Sequence, residues 1–580
     1  MQNKSLTLLL AAIVLGLTAC SDSGSKTPAI TTPSSGNGTL TNTTQYPLFR
    51  VRGHLAYMNG EIKSDIGTQL DAMLAAHPQV DTIVLEEVPG SSDDEANLAA
   101  ARKVHQKGLK TMILSGGEVA SGGVDFFLAG KERSIADGAL IGVHSWAGDG
   151  INNAATLPKG ASEHDLYEDF YKEISIDPDF YWFTIQAADA ENIHWMRSSE
   201  VNLYGISTRK PTESERLNVI PVPTTFESAI TDTFDRYTWV DAPNGKPVHI
   251  FAQQGVRLSQ IIKARSVMQF YLTNYGALDK KAVANKMADD NASLFIFRTE
   301  AESEAAFNGT LGDSKLAEHG QDLYATEIFV EGDNNYITNP EDSRDATYEE
   351  VLHLVQGYGL APTNQALQQR IAKRADEALM DKVWNPEADQ VAEWRAEGDS
   401  VRGNSVSYEY FASIVEAYFG LWQHLPEGMD GYTAPSRTLQ TTIDPVGIAI
   451  IQDFLPDNVY QPMMIDSAFP AGQTFEMQYQ SSKAYTFKSQ YLVDAHLSGN
   501  LNSNIKGNDH NNVITGNKGN NELDGGEGKD SVVVFGLRDE FQLTNSSSGW
   551  ELKDLVSNRN GTDILKNIEA IEFRDQVVNL

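Results

Sequence analysis

The chain has 580 residues, of which 41% are hydrophobic, and it carries a formal net charge of −34. A chain of this length is too long for one hydrophobic core and predicts about three domains. The negative charge argues against nucleic acid as a partner, because the phosphate backbone would be repelled. The single cysteine excludes an intramolecular disulfide.

The first twenty residues have the pattern of an export signal. Lys4 gives a basic start, residues 6–17 form a short apolar stretch, and residues 17–20 (LTAC) form a cleavage site with small residues. The tetrapeptide resembles a bacterial lipobox, in which the cysteine is lipidated. We therefore expect a lipoprotein signal peptide over residues 1–20 and membrane anchoring through Cys20, in the periplasm or at the cell surface. Residues 21–46, rich in Ser, Thr and Gly, are expected to be a flexible linker.

The region 47–215 alternates predicted strands and helices. The β-α-β-α-β order that results indicates a parallel α/β layer. The predicted strands are 49–59, 82–86 and 110–114, and the predicted helices are 66–76 and 96–106.

Four motifs in this region carry a resemblance to a known family. They are YMNGEI at 57–62, VPGSS at 88–92, ASGG at 120–123 and GVH at 142–144. In this order they are similar to the successive motifs of the Clp protease/crotonase superfamily, and most of all to its periplasmic ClpP-like branch. The resemblance continues as far as Tyr204-Gly205-Ile206.

This resemblance implies a serine hydrolase, most naturally a peptidase acting on peptide or protein substrates. Ser121 would be the nucleophile and His144 its base, because a serine hydroxyl is weak without one. Backbone N–H groups near Gly90 or Ser91, and that of Gly122, would stabilise the developing oxyanion. Oligomerisation stays open, since such folds form rings. The alternative is that Ser121 only caps a helix and His144 is a hydrogen-bonded core residue.

Two positions depart from the family pattern. The family's Pro-Gly-Gly turn is Pro89-Gly90-Ser91 here, and the third carboxylate of the triad would fall near Ile193, which cannot orient a histidine. Asp189, Glu191 or Asn192 could substitute from nearby. Otherwise the site is a Ser-His dyad or is inactive.

The middle region, 216–475, is expected to be mainly helical. Helical periodicity covers 258–272, 364–384 and 408–422, and short strands are expected at 328–330 and 335–338.

A metal-binding pattern lies on the helix expected at 345–358. Glu349 and His353 are four residues apart and project from one helix face. This is the ligand spacing of His-Glu-x-x-His with Glu in first place, so Glu350 takes the general-base position. The sequence EYFA from Glu409 is similar to the helix that supplies the third zinc ligand in lethal-factor-type metallopeptidases. The resemblance implies a Zn²⁺ site made of Glu349, His353 and Glu409, with one open position.

Two alternatives remain for this pattern. A Glu in place of the first His makes the site harder and less selective for zinc, so the fold could be a metallopeptidase scaffold without activity. Otherwise Glu349 and Glu350 lie on the solvent face of the helix and His353 belongs to the core. Glu409 and Glu416 are then surface charges at heptad spacing.

The C-terminal region, 476–580, contains three consecutive nine-residue repeats: 507–515, 516–524 and 525–533. The last matches G-G-x-G-x-D-x-U-x, so the segment resembles an RTX calcium-binding repeat and implies a parallel β-roll. A strand-rich cap is expected from Gly561 to Val577.

In such a roll the apolar residue of each repeat points inward and oxygen ligands of successive turns hold Ca²⁺. The inward positions would be Ile505, Ile514, Leu523 and Val532, and the acidic calcium ligands Asp509, Asp524 and Asp530.

The sequence thus predicts a multidomain protein: an α/β ClpP/crotonase-like domain, a mostly α metallopeptidase-like domain and a C-terminal parallel β-roll. The leading hypothesis is an exported lipoprotein with a serine peptidase domain and a calcium-binding tail. The alternatives are a metallopeptidase using Glu349, His353 and Glu409, or a non-catalytic, calcium-stabilised binding or adhesion protein.

Overall fold

The computed structural model describes residues 45–148, 150–275, 278–338, 344–396, 405–422 and 430–580. They form a multidomain, mixed α/β structure with several sheets, divided into two compact units. The N-terminal unit comprises the described part of Thr41–Thr225 together with Val532–Leu565 and Glu569–Leu580, and the central unit comprises Phe226–Ser531 and Lys566–Ile568. The boundaries expected at 215/216 and 475/476 stay predictions.

A mostly parallel sheet organises the N-terminal unit. Its strand order is β1-β2-β3-β4-β6-β7, with β5 beside β4. The pairs β2–β3, β3–β4, β4–β5 and β4–β6 are parallel, whereas β1–β2 and β6–β7 are antiparallel. The strands of this sheet are β1 Phe49–Arg52, β2 Leu55–Met58, β3 Thr82–Val88, β4 Lys110–Ala120, β5 Arg133–Ile135, β6 Leu140–Val143 and β7 His194–Trp195. The short strand β8 Ile220–Pro221 follows in the chain and is not part of this sheet.

Helices cover this sheet, as its buried strands require. Ile83, Val84 and Leu85 of β3 are fully buried, which is usual for a parallel strand enclosed on both faces. The segment expected as one strand over 49–59 is instead the hairpin β1–β2, because Gly53 turns the chain with a φ of +59°. The helices are α1 Ile66–Ala76, α2 Asp94–Gln106, α3 Gly122–Leu128, α4 Asp165–Glu173, α5 Pro178–Ala187, α6 Ser198–Leu203 and α7 Glu213–Arg216.

The central unit contains a sheet that the helical periodicity did not predict. Its strands run in the order β12-β11-β10-β9, with β9–β10 antiparallel and the other pairs parallel. Ser293–Phe297 is buried throughout, so it shows no alternation that would mark a strand. The strands are β9 Arg236–Asp241, β10 Pro247–Ala252, β11 Ser293–Phe297 and β12 Gly320–Tyr324.

The remainder of this part of the chain is helical. The helices are α8 Ser228–Thr231, α9 Leu258–Leu272, α10 Lys281–Asp289, α11 Glu300–Phe307, α12 Asn334–Thr338, α13 Thr347–Val355, α14 Ala361–Thr363, α15 Gln365–Met380, α16 Ala388–Ala396, α17 Ser405–Tyr418, α18 Arg437–Ile443 and α19 Pro445–Phe454. Among the described residues, no helix has both the length and the apolar character needed to cross a bilayer.

Two strand predictions in this region are wrong. Residues 328–330 form no strand, and 335–338 belong to α12. The carboxylate of Asp333 explains the second case, because its Oδ1 accepts the backbone N–H of Tyr336 at 2.8 Å and so starts a helix.

The repeats form two sets of short parallel strands. In one set β13 pairs with β15 and β15 with β17; in the other β14 pairs with β16 and β16 with β18. Ile505, Ile514, Leu523 and Val532 are all fully buried, as the repeat pattern predicts. The elements are β13 Met463–Ile465, β14 Thr474–Glu476, α20 Thr486–Ser489, β15 Asp494–Leu497, β16 Asn504–Lys506, β17 Val513–Thr515, β18 Glu522–Asp524 and β19 Ser531–Val533.

The last residues are strand-rich, as expected for the segment after the repeats. The pairs β20–β21, β21–β22 and β23–β24 are antiparallel. These strands are β20 Phe541–Ser546, β21 Gly549–Asp554, β22 Thr562–Lys566, β23 Ala570–Glu572 and β24 Val577–Asn579.

Candidate functional sites

Ser121 and His144 follow the ends of two neighbouring parallel strands. Ala120, the last residue of β4, pairs with Gly142 of β6. The N–H of Ser121 donates to the Gly142 carbonyl at 2.9 Å. Side chains that follow adjacent parallel strands meet at the same edge of a sheet, which is where open α/β sheets bind their ligands.

The backbone of Ser121 is strained. Its φ of 53° and ψ of −130° lie outside the regions that L residues favour, at a cost of about 1–3 kcal/mol. Its side chain makes no capping hydrogen bond to α3, so the interpretation of Ser121 as a helix cap is wrong. A sharp strand-to-helix turn of this kind is how a nucleophile elbow presents its serine.

Two backbone N–H groups are placed beside Ser121. Gly122 is the first residue of α3, so its N–H has no acceptor within the helix. Ile62 forms a parallel bridge with Ser91: the N–H of Ile62 donates to Gly90 O and the N–H of Ser92 to Ile62 O, both at 2.9 Å. In a parallel pair this leaves the N–H of Ser91 facing the other side, which is the side of β4.

Glycine is required at two of these positions. A Cβ on Gly90 would lie 3.0 Å from Ser121 Cβ, and Gly90 has a φ of +147°. A Cβ on Gly122 would lie 2.1 Å from the Ser91 hydroxyl oxygen. The loop carrying Ser91 and the turn at Ser121 therefore approach each other as closely as their backbones allow.

His144 is half-buried and lacks an orienting side chain. Within the described residues, its buried Nδ1 makes no hydrogen bond, and none joins it to the Ser121 hydroxyl. Burial lowers the pKa of His144, and the backbone at Ala190 and the charge of Asp94 act in the opposite direction. A histidine with a lowered pKa is neutral at neutral pH, as a general base must be.

The predicted substitutes for the missing carboxylate do not hold His144. Ile193 is 39% exposed, and Asp189 instead accepts hydrogen bonds from Asn192 Nδ2 at 2.8 Å and from Glu191 N–H at 3.1 Å. The turn that these residues form keeps them on the surface.

Sequence reasoning missed a different carboxylate, Asp94. It accepts the Ser91 hydroxyl at 2.5 Å and the Tyr167 hydroxyl, and its charge raises the pKa of His144. Asp94 is the first residue of α2, a position where acids are common on electrostatic grounds alone, so its sequence position gave no signal of this role.

A second candidate site lies in the central unit. Glu349 and His353 on α13 and Glu409 on α17 converge, and one ligand atom from each lies within 4.8 Å of the others. Among the described residues this is where three or more metal-ligating side chains meet. The predicted calcium ligands Asp509, Asp524 and Asp530 form no such group.

The histidine of this cluster is buried and its ring is unpartnered. His353 is 4% exposed, and neither ring nitrogen makes a hydrogen bond. Its Nε2 lies 3.9 Å from Glu409 Oε1, and its Nδ1 lies 3.5 Å from Glu350 Oε2. Buried polar atoms without a hydrogen-bond partner are uncommon, so both ring nitrogens of His353 call for an explanation.

Glu350 is positioned next to this cluster by a hydrogen bond. Its Oε2 accepts Gln321 Nε2 from β12 at 2.7 Å. Burial is the main cause that raises the pKa of Glu350 and, to about 8, that of Glu409. Burial lowers the pKa of His353, but the carboxylates of Glu409, Glu350 and Glu349 outweigh it and raise the value to about 10. These directions favour a protonated His353 ring and protonated carboxyl groups of Glu350 and Glu409 in the buried cluster.

The surface interpretation of these acids is wrong. Glu349, Glu350 and Glu416 are buried, because α13 and α17 pack their acidic faces against each other. Arg344 supplies one countercharge, with its Nη1 2.5 Å from Glu349 Oε2. After α13 the chain forms a π-helical turn at Gln356–Leu360, a feature that is frequent at functional sites.

Comparisons with known proteins give structural neighbours only. No family model matches the chain, and no curated protein matches it. Among solved structures, the chain is similar to a variant of the 1510-N membrane-bound stomatin-specific protease, with 17% identity over 28% of this chain and 82% of that one and a TM-score of 0.22. It is also similar to a second variant in complex with a substrate peptide (16%, 29% and 80%, 0.21). A third is the 1510-N membrane protease specific for a stomatin homolog from Pyrococcus horikoshii (16%, 28% and 75%, 0.21).

Proposed function

We propose that the N-terminal unit is a serine hydrolase that cleaves peptide bonds of a substrate with Ser121 as its nucleophile. The observation that carries the proposal is the left-handed backbone of Ser121 at the turn between β4 and α3. Strain of this kind persists only where the surrounding structure holds it, and it is concentrated at active sites.

The chemistry follows from the groups around Ser121. His144 takes the proton of the Ser121 hydroxyl as its oxygen attacks the substrate carbonyl. The N–H groups of Ser91 and Gly122 bind the resulting oxyanion. His144 then gives the proton to the leaving amine as the peptide bond breaks. Water next attacks the acyl-enzyme: His144 takes a proton from the water and returns it to the Ser121 oxygen as the ester bond breaks.

A peptidase assay with paired serine variants tests this proposal. Ser121→Ala should abolish hydrolysis of a fluorogenic peptide library, whereas Ser115→Ala, in the strand β4 that precedes Ser121, should retain it. Hydrolysis that is equal in the wild type and in Ser121→Ala, or absent from both, would remove the serine hydrolase from consideration.

A second activity is proposed for the central unit, a metal-dependent hydrolase. The unpartnered ring nitrogens of buried His353 between two carboxylates fit a divalent transition metal such as Zn²⁺. Glu349, His353 and Glu409 would hold it, and it would supply Lewis-acid activation of a carbonyl and of water. Glu350, held by Gln321, is the group that would take and return a proton.

Metal analysis separates this second proposal from the first. Purified wild type is expected to bind one equivalent of zinc, and a Glu349→Ala/His353→Ala double variant none. Glu416→Gln, a buried carboxylate on the same helix as Glu409, is the matched control and should still bind. Equal zinc content in the wild type and the double variant would contradict the site.

Export and lipid anchoring complete the proposed function. Cys20 lies outside the described residues, and the signal pattern at residues 1–20 supports the proposal. Incorporation of a labelled fatty acid should be lost in Cys20→Ala. A protein that fails both activity tests would instead be the non-catalytic binding protein of the third hypothesis.

A further inference from the structure

Residues 498–531, here called the nonad stack, include the first two repeats and the start of the third. They contain asparagine where strong calcium-binding repeats contain aspartate. The sixth position of each repeat is Asn512, Asn521 and Asp530, and the second position of the first two repeats is Asn508 and Asn517. Because the strands alternate between two sheets, each turn lies next to the turn 18 residues away. A calcium ion would have to bind between such turns.

In the turn that starts at Gly507, both asparagine amides are fully used. The amide NH₂ of Asn512 donates to Asn508 Oδ1 at 3.0 Å and to the carbonyl of Val493 at 3.3 Å. That of Asn508 donates to the carbonyls of Gln490 at 3.1 Å and Leu492 at 2.8 Å. In return, Asn512 Oδ1 accepts the backbone N–H of Asn508 at 2.9 Å.

The next turn repeats the same arrangement on the other side of the stack. The amide NH₂ of Asn521 donates to Asn517 Oδ1 at 3.1 Å and to the carbonyl of Ser503 at 2.7 Å. That of Asn517 donates to the carbonyls of Ser498 and Leu501, both at 3.0 Å. Asn521 Oδ1 accepts the N–H of Asn517 at 3.0 Å. Two independent turns therefore use one pair of asparagines in one way.

Turns that lie 18 residues apart, on the same side of the stack, are also joined directly. The N–H of Asn512 donates to Asp530 Oδ1 at 2.7 Å, and the N–H of Lys529 donates to Asn511 Oδ1 at 2.9 Å. The corresponding bonds on the other side run from Asn520 N–H to Asn502 Oδ1 at 2.9 Å and from Glu522 N–H to Asn504 Oδ1 at 2.8 Å.

The contacts of the two asparagine turns do not fit a calcium site. Calcium takes six to eight oxygen ligands with several carboxylates among them. Here the main-chain carbonyls in contact with the asparagine pairs already accept N–H donors, and a donor hydrogen and a cation repel each other at one oxygen. The acid predicted in the first turn, Asp509, is 68% exposed and lies 3.7 Å from the His510 ring, away from the asparagine pair.

We propose that asparagine amides take the place of calcium in the nonad stack, so that this segment folds and stays folded without the ion. The NH₂ groups of Asn512 and Asn521 each bridge a side chain and a carbonyl, and those of Asn508 and Asn517 each bridge two carbonyls, of residues 16–19 positions earlier in the chain. This is the cross-linking role that an ion plays in acidic repeats. A protein built in this way keeps its C-terminal region ordered in calcium-poor surroundings.

Hydrogen exchange on the full chain tests the proposal. Amides of 498–531 in the wild type should be equally protected in a chelator and in millimolar calcium. Loss of their protection in the chelator, restored by calcium, would overturn it. Asn521→Asp should weaken protection in the chelator and make it respond to calcium, because it introduces an unpaired buried carboxylate.

A direct binding measurement covers the case in which Asn521→Asp fails to fold. Equilibrium dialysis with radioactive calcium measures binding to the wild type and to Asp530→Asn. We expect no stoichiometric binding that depends on Asp530, so the two proteins should give the same result. Stoichiometric binding that Asp530→Asn abolishes would contradict the proposal, whatever the variant at 521 does.

Discussion

The two candidate sites differ in which requirement of a catalytic centre they meet: the Ser121 site has the backbone geometry, and the His353 site has the convergent side chains. Around Ser121 the backbone is arranged for catalysis, with a strained turn, two N–H donors and glycines at close contacts, but no side chain orients His144. Around His353 the side chains converge without any unusual backbone at the ligands themselves. The two sites therefore depend on different features. Substitutions that disturb the backbone should affect the Ser121 site, and substitutions that remove side-chain contacts should affect the His353 site.

The first prediction tests the backbone arrangement around Ser121. Gly122→Ala should lower peptide hydrolysis about 10²–10³-fold, the usual loss for one oxyanion donor, because its Cβ would collide with the Ser91 hydroxyl. Initial rates on a fluorogenic peptide measure the effect. Gly148→Ala is the control, since a Cβ there meets nothing within 4 Å. Equal rates in the two variants would contradict the assigned oxyanion site.

The second prediction tests the side-chain contacts around His353. Gln321→Leu removes the donor that holds Glu350, and metal-dependent hydrolysis should fall about 10-fold, as is typical when a supporting hydrogen bond is lost. The zinc-dependent rate after subtraction of the chelator-resistant rate is the readout. The chelator-resistant rate should not change, and if it fell equally the two sites would not be independent.

The third prediction concerns Asp94 and has the smallest effect. Since its charge raises the pKa of His144, Asp94→Asn should lower that pKa and shift the acidic limb of the pH–rate profile to lower pH. Asp189→Asn, at an exposed carboxylate that the same histidine senses more weakly, should shift the limb less. A larger shift for Asp189 than for Asp94 would mean that Asp189 is the orienting group.

How much the sequence predicted depended on the range of the interactions involved. The short-range patterns were reliable: α1 and α9 have the predicted bounds, and the inward positions of the repeats are buried. The strands β10 and β11 were missed because a buried strand has no alternation, and α12 was read as a strand because its start depends on Asp333.

The sites show the same limit. Helical spacing indicated Glu349 and His353, because a helix register is local, whereas Ser121 and Glu409 were implied by the family resemblances of their motifs. Asp94 was missed because its effect on His144 depends on how two distant segments are packed. Calcium was predicted between these turns because the sequence does not show which way an asparagine NH₂ group points.

The central claim is that Ser121 is an activated nucleophile in a molecule that needs no metal for this step. The most direct measurement is labelling of the metal-free protein with a fluorophosphonate, followed by peptide mapping by mass spectrometry. We expect a single adduct on Ser121 that is lost in His144→Ala and kept in His353→Ala. Absence of an adduct on Ser121, or one that forms equally well in His144→Ala, would contradict the account.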